Sequence, residues 1–210
     1  MLFFCFTYKI YYSIITAGDD MMKTDLFFQD VMSRSNINLI RGVDNSSVEK
    51  FVSKYSQYKE KFFYEQFSRC GGLVIDNWVR LYGCGILDVV EKNERYNKDN
   101  VVDILIGEDI LGGLFGLKGE YVYYFAPDTN RWECLEIYYT QFIDWLINKP
   151  DNVNKFYELY RWNTWKEDCG KLNFTEGYQF YPLLQANCNI EERHRKVVSI
   201  DELIRFNLHI

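Results

Sequence analysis

A chain of 210 residues that is 48% apolar and 18% aromatic can bury one substantial hydrophobic core, which excludes a disordered polymer. Its net charge of -6 and pI near 5.1 exclude nucleic-acid binding through a positive footprint, and likewise attraction to an anionic membrane surface. Such an acidic chain suits a basic protein partner, because opposite potentials steer encounter.

The first twenty residues, MLFFCFTYKIYYSIITAGDD, are apolar but broken by Lys9, with no positive region ahead of them. They are too short and too polar to span a bilayer, and read as an extension upstream of a native start at Met21 or Met22. Residues 21–210 then form a single domain. From Lys23 a short helix carries Leu26, Phe27, Val31 and Met32 on one side, followed by a polar, turn-rich connection over residues 33–45 that includes Leu39, Ile40 and Val43. Asn45-Ser46-Ser47 opens a helix bearing Val48, Phe51, Val52 and Tyr55, and a second helix carries Phe62, Phe63 and Phe67 until Gly71-Gly72 ends it. Leu73 to Ile75 and Val79 to Tyr82 read as paired strands bent at Asp76-Asn77. The Glu-, Lys- and Asn-rich residues 88–100 read as the most exposed loop, and strand character resumes over residues 101–107.

The densest pattern follows. Residues 113–117 and Tyr121 to Phe125 form a hairpin turning at Lys118-Gly119-Glu120, and Pro127 with Asp128 and Asn130 forces a turn into a third strand over residues 131–137. Thr140 is the expected cap of a helix carrying Phe142, Ile143, Trp145 and Leu146. Residues 151–165 are helical in pattern, residues 178–184 strand-like, residues 187–196 a polar loop, and residues 197–200 a last strand before a terminal helix. The order predicts an α+β fold: a mostly antiparallel sheet packed against helices, with a helical N-terminal part.

The cysteines, at 5, 70, 84, 134, 169 and 188, contain no CxxC pair, so they read as buried hydrophobes in a reducing cytoplasm rather than as metal or disulfide ligands. Gly112 and Gly113 lie between strands and not ahead of a helix, which favours tight turning over phosphate binding. His194 falls within a charge run. Asp109, Asp128, Glu133 and Asp144 are too scattered for an acid–base pair and read as turn or solvated carboxylates; with Tyr123 and Trp132 they form a candidate interaction surface. Trp145 and Trp162 read as core anchors. No catalytic, cofactor or metal residue is assigned.

The stretches CGGLVIDNWVRLYGCG, GGLFGLKG, YYFAPDTNRWECLEIYYTQFIDWL, FYELYRW and a late YPLL, in that order, resemble the bacterial domain of unknown function 2625 family over residues 39–202. Gly71, Gly72, Gly112, Gly113, Pro127, Trp145, Trp162 and Pro182 lie within those motifs. The chain departs from the family pattern in lacking a glycine between Asn77 and Trp78, and in having Gln185-Ala186 where a tryptophan is expected. More distantly, the glycine hairpin, aromatic strand and FIDWL helix are similar to the SUKH superfamily, which implies a cytoplasmic immunity protein that neutralises a toxin. The expected function is therefore non-enzymatic binding of a protein partner, such as a basic toxin domain, with no nucleic acid, membrane or cofactor. The alternative is a small-molecule-binding module or hydrolase using an aromatic cleft.

Overall fold

A computed structural model describes residues 20–210; the upstream extension expected for the first residues, and Cys5 within it, lie outside the described residues. The described residues open with helix α1 (Asp20–Met32) and strand β1 (Ile37–Ile40), then helices α2 (Asn45–Lys54) and α3 (Phe62–Arg69). Strands β2 (Gly72–Ile75) and β3 (Val79–Leu81) precede α4 (Val89–Tyr96). Four strands follow: β4 (Ile104–Asp109), β5 (Leu114–Lys118), β6 (Tyr121–Ala126) and β7 (Arg131–Tyr138). After helices α5 (Tyr139–Asn148), α6 (Pro150–Phe156) and α7 (Trp165–Cys169), the chain closes with β8 (Glu176–Tyr181), β9 (His194–Ser199) and α8 (Ile200–Leu208). Strands β1 to β7 form one antiparallel sheet in chain order, and β8 pairs with β9 in a separate ribbon. The α+β fold is thus as expected.

Side chains alternate across a strand, so the register sorts the core into two layers. On one face Arg80 lies opposite Glu108, Glu108 opposite Leu114, Leu114 opposite Phe125 and Phe125 opposite Trp132. This face is covered by α4 and by the terminal ribbon with α8, since Tyr178 N–H donates to the carbonyl of Ile110 and Asn207 Nδ2 to that of Leu111. On the other face Phe115 pairs with Tyr124 and is met by Phe142 of α5 at 4.9 Å, while Phe156 of α6 meets Tyr124 at 5.3 Å. Aromatic rings do much of the filling, and edge-on pairs such as Phe67–Tyr139 and Trp162–Tyr178 let large rings interlock.

Several local expectations are corrected. Residues 37–40, expected in a turn-rich connection, are the edge strand β1, because Leu39 and Ile40 find partners in Leu73 and Gly72. The supposed exposed loop at 88–100 is mostly helix α4. Asp88 caps it by accepting from the Glu91 N–H, and Val89, Val90, Asn93 and Tyr96 are buried. Helix α2 is capped by Asp44, whose carboxylate accepts from Ser46 and Ser47, rather than by the residues that follow it. Helix α5 begins at Tyr139, and Gln141, not Thr140, satisfies its start by accepting from the Tyr138 N–H at 2.9 Å. The helical pattern over residues 151–165 is broken after Phe156, and α7 is a separate short helix. Within the charge run of 191–196, His194 is exposed and already in β9, but Arg193 is buried and donates to the carbonyls of Pro182, Leu183, Ala186 and Cys188. It holds the loop after the cis Tyr181–Pro182 peptide. Cys70, Cys84 and Cys169 are buried as expected and burial pushes each thiol up to about 12, whereas Cys134 is exposed and Cys188 half-buried.

Candidate functional site

The sheet ends β4 on two consecutive carboxylates, and alternation sends them to opposite layers. Asp109 was expected on an interaction surface, but it is fully buried and contributes nothing to the outside. Its Oδ1 accepts from the N–H groups of Leu111 (2.9 Å) and Gly113 (3.0 Å), and its Oδ2 from the hydroxyls of Tyr124 (2.6 Å) and Tyr157 (3.0 Å). The turn between β4 and β5 is therefore pinned from inside. Gly112 adopts a left-handed φ of 77°, and a Cβ at Gly113 would collide with the Tyr124 hydroxyl and Asp109 Oδ2, so both glycines serve the turn. Burial raises the Asp109 pKa from its usual value, opposed by the four donated hydrogen bonds, and it drives Tyr124 and Tyr157 well upward.

Glu108, one residue earlier, is equally buried on the other face. Its Oε2 accepts from Lys92 Nζ (2.7 Å) and the Tyr82 hydroxyl (2.9 Å), and its Oε1 lies 3.8 Å from Arg80 Nη1. Arg80, only 2% exposed, also donates to the carbonyls of Asn173, Phe174 and Glu176 just ahead of and at the start of β8. Burial lowers the Arg80 pKa, with Glu108 opposing, and it raises that of Tyr82 strongly. The Glu108 group was missed from sequence. The available signal was Arg80 inside the short strand VRL and the Glu108-Asp109 pair at the end of the apolar strand ILIGED.

The remaining candidate residues lie on β6, the turn after it, β7 and α5, and do not converge. Trp132 packs on Phe125 at 5.6 Å, and Tyr123 is half-buried opposite the exposed Cys134. Glu133 is exposed. Asp128, in the turn with the buried Pro127, accepts from the Tyr160 hydroxyl at 2.5 Å. Asp144 is on α5, paired with Lys149 at 2.9 Å and bonded by Asn148. Trp145 packs against Phe142 and Phe156, and Trp162 is buried with its Nε1–H donated to Asp168. Gly71 donates to the Ile40 carbonyl and Gly72 begins β2, so both belong to the β1–β2 seam.

A cleft of about 170 Å³ opens beside the β5–β6 turn. Its floor and walls include Phe62, Phe63, Leu117 and Tyr139, with Tyr58 and Tyr138 on its flanks and Lys61, Asp103 and Glu120 as its charged members. Tyr121 and Tyr138 stack beside it at 5.3 Å and are 42% and 45% exposed. Among the described residues no group of three His, Cys, Asp or Glu is placed to hold a metal ion, and no helix is long and apolar enough to cross a membrane.

The fold and its polar groups define an α+β domain with a seven-stranded antiparallel meander, buried carboxylates that bind the structure together, and an aromatic–acidic rim left outside. The chain belongs to the family described as Protein of unknown function DUF2625, which it matches over residues 52–203. It is 40% identical over 145 residues to the Escherichia coli (strain K12) protein described as putative uncharacterized protein YbfG, covering 63% of this chain and 66% of that one. An uncharacterized protein of Haemophilus influenzae (strain ATCC 51907 / DSM 11121 / KW20 / Rd) is 26% identical over 149 residues, covering 62% of this chain and 64% of its own length. The matched region thus spans about two thirds of each relative.

Proposed function

We propose that this chain is a non-enzymatic protein-interaction domain, an immunity protein that binds and neutralises a basic bacterial toxin in the cytoplasm. The observation that carries the reading is the exposed rim, where β7 carries the exposed Glu133 and Glu136 on the same strand as Tyr138 of the stacked Tyr121–Tyr138 pair. Aromatic rings supply contact area at the centre of protein interfaces, and surrounding carboxylates steer a positive partner. The net charge of -6 and the motif similarity to the SUKH superfamily support the same reading. Against a nuclease toxin, such a surface mimics nucleic acid and covers the basic cleft. Calorimetric titration with the toxin domain encoded beside its gene is expected to give a nanomolar complex that weakens with added salt. Absence of a complex with any neighbouring toxin domain would overturn the proposal.

The aromatic cleft favours a second reading, a small-molecule-binding module or a hydrolase. Its signature is a rise in thermal midpoint with one class of small ligand, since binding to the folded state alone stabilises it.

A further inference from the structure

We propose that the cleft beside the β5–β6 turn is a receptor for one arginine side chain of a basic protein partner; the proposal rests on the interaction-domain reading and adds what the partner must present. A guanidinium is planar, stacks on aromatic faces and pairs with carboxylates, so a pocket for it needs rings along the walls and carboxylates at the end. Tyr58, Phe62 and Tyr138 provide partly exposed rings, and Phe63 and Tyr139 close the interior. Phe63 and Tyr139 are fixed edge-on at 5.5 Å, and Tyr58 is held 5.3 Å from Phe63, so the walls are set before anything binds.

The charges are also suited to a cation. Asp103 spends Oδ2 on the Gly119 N–H (2.7 Å), which fixes the carboxylate, while Oδ1 makes no hydrogen bond among the described residues. Glu120 is exposed and makes no ion pair there either. Lys61 is the opposing charge, so the cleft keeps one net negative charge for an incoming guanidinium. Asp103 and Tyr58 line the cleft together, and the Tyr58 pKa is raised first by burial and then by the Asp103 charge. Gly119 has nothing within 4 Å of a Cβ position, which leaves the mouth open on that side.

The test is an amide-resolved NMR titration of the whole chain with Nα-acetyl-arginine amide, its neutral citrulline counterpart and Nα-acetyl-lysine amide. The arginine probe is expected to shift residues 58–63, 103, 117–120 and 138–140 saturably, the citrulline probe not at all, and the lysine probe more weakly. Asp103→Asn, whose carboxamide oxygen can take over the Gly119 N–H that Oδ2 accepts, and Glu120→Gln each raise the apparent Kd about fivefold, while Glu158→Gln, exposed and outside the cleft, leaves it unchanged. Equal shifts with citrulline, lysine binding as tightly as arginine, no shifts, or shifts unaffected by both variants would each overturn it. Because the probe reads the isolated chain, its failure leaves toxin binding untouched, and a missing toxin complex leaves the probe result standing.

Discussion

The seam at the end of β4 and the rim along β7 use the same residue types for opposite ends. At the seam, Glu108 and Asp109 are wholly buried, and hydrogen bonds from Lys92, Tyr82, Tyr124, Tyr157 and two backbone amides surround them. At the rim, Glu133 and Glu136 face solvent, and the Tyr121 and Tyr138 rings stack with much of their area uncovered. Position in the sheet makes the difference: β4 has a strand on each side and a layer on each face, whereas β7 is the outermost strand. A carboxylate in the middle of the sheet becomes structural, and one at its margin faces solvent.

The sharpest break in this comparison is Glu108→Leu. It leaves Arg80 and Lys92 with no buried counter-charge, and urea unfolding is expected to show a loss of roughly 3–5 kcal/mol. Next comes Asp109→Ala, which strands two amides and two tyrosine hydroxyls for about 2–4 kcal/mol, while Asp109→Asn keeps the acceptor for Leu111 and Gly113 and costs less than about 1.5 kcal/mol. The Asp109 pair also sharpens the comparison through pH. The pKa of Asp109 is raised by burial above its ordinary 3.8, so its protonated form favours the fold: that contribution is complete below 3.8 and is lost as pH rises through the raised value. The difference between wild-type and Asp109→Asn unfolding midpoints, followed upward from acid, should carry that fall; a flat difference contradicts it. The smallest effect on stability is expected at the rim, where Glu133→Gln and Tyr138→Ala together change unfolding by under about 1 kcal/mol yet weaken the partner complex.

Much of the sheet was legible in the sequence. Leu73 to Ile75 and Val79 to Leu81 are apolar runs around a turn-forming Asp76-Asn77, both with left-handed φ, and the glycine-bounded hairpin of β5 and β6 has the turn chemistry that sets its own register. Helix α4 was hidden because Asn93 occupies the position where an apolar residue would have completed the helical stripe of Val89, Val90 and Tyr96. Asn93 is there to bond the N–H and carbonyl of Leu105, where the β4–β5 register shifts, and no local pattern announces a partner twelve residues away. The seam was illegible for a related reason. Asp109 looks like any turn carboxylate until Tyr124 and Tyr157 arrive from β6 and the end of α6, and β1 looks like linker until β2 lies beside it. Of the remaining surface candidates Glu133 is exposed while Tyr123, Asp128, Trp132 and Asp144 are half-buried, and their scatter over β6, the following turn, β7 and α5 shows only in three dimensions; Tyr121, Glu136 and Tyr138 were not singled out, because nothing local marks a cross-strand stack.

The bonds from Arg80 to the carbonyls of residues 173, 174 and 176 have a consequence for biosynthesis. Strands β1 to β7 each pair with the one translated just before, so the meander can grow as it leaves the ribosome. The guanidinium of the third strand must nonetheless wait for nearly a hundred further amino acids before its last acceptors exist. A nascent chain halted after α6 carries the whole meander with Arg80 facing Glu108 alone, and its three carbonyl acceptors arrive only with the segment that leads into β8.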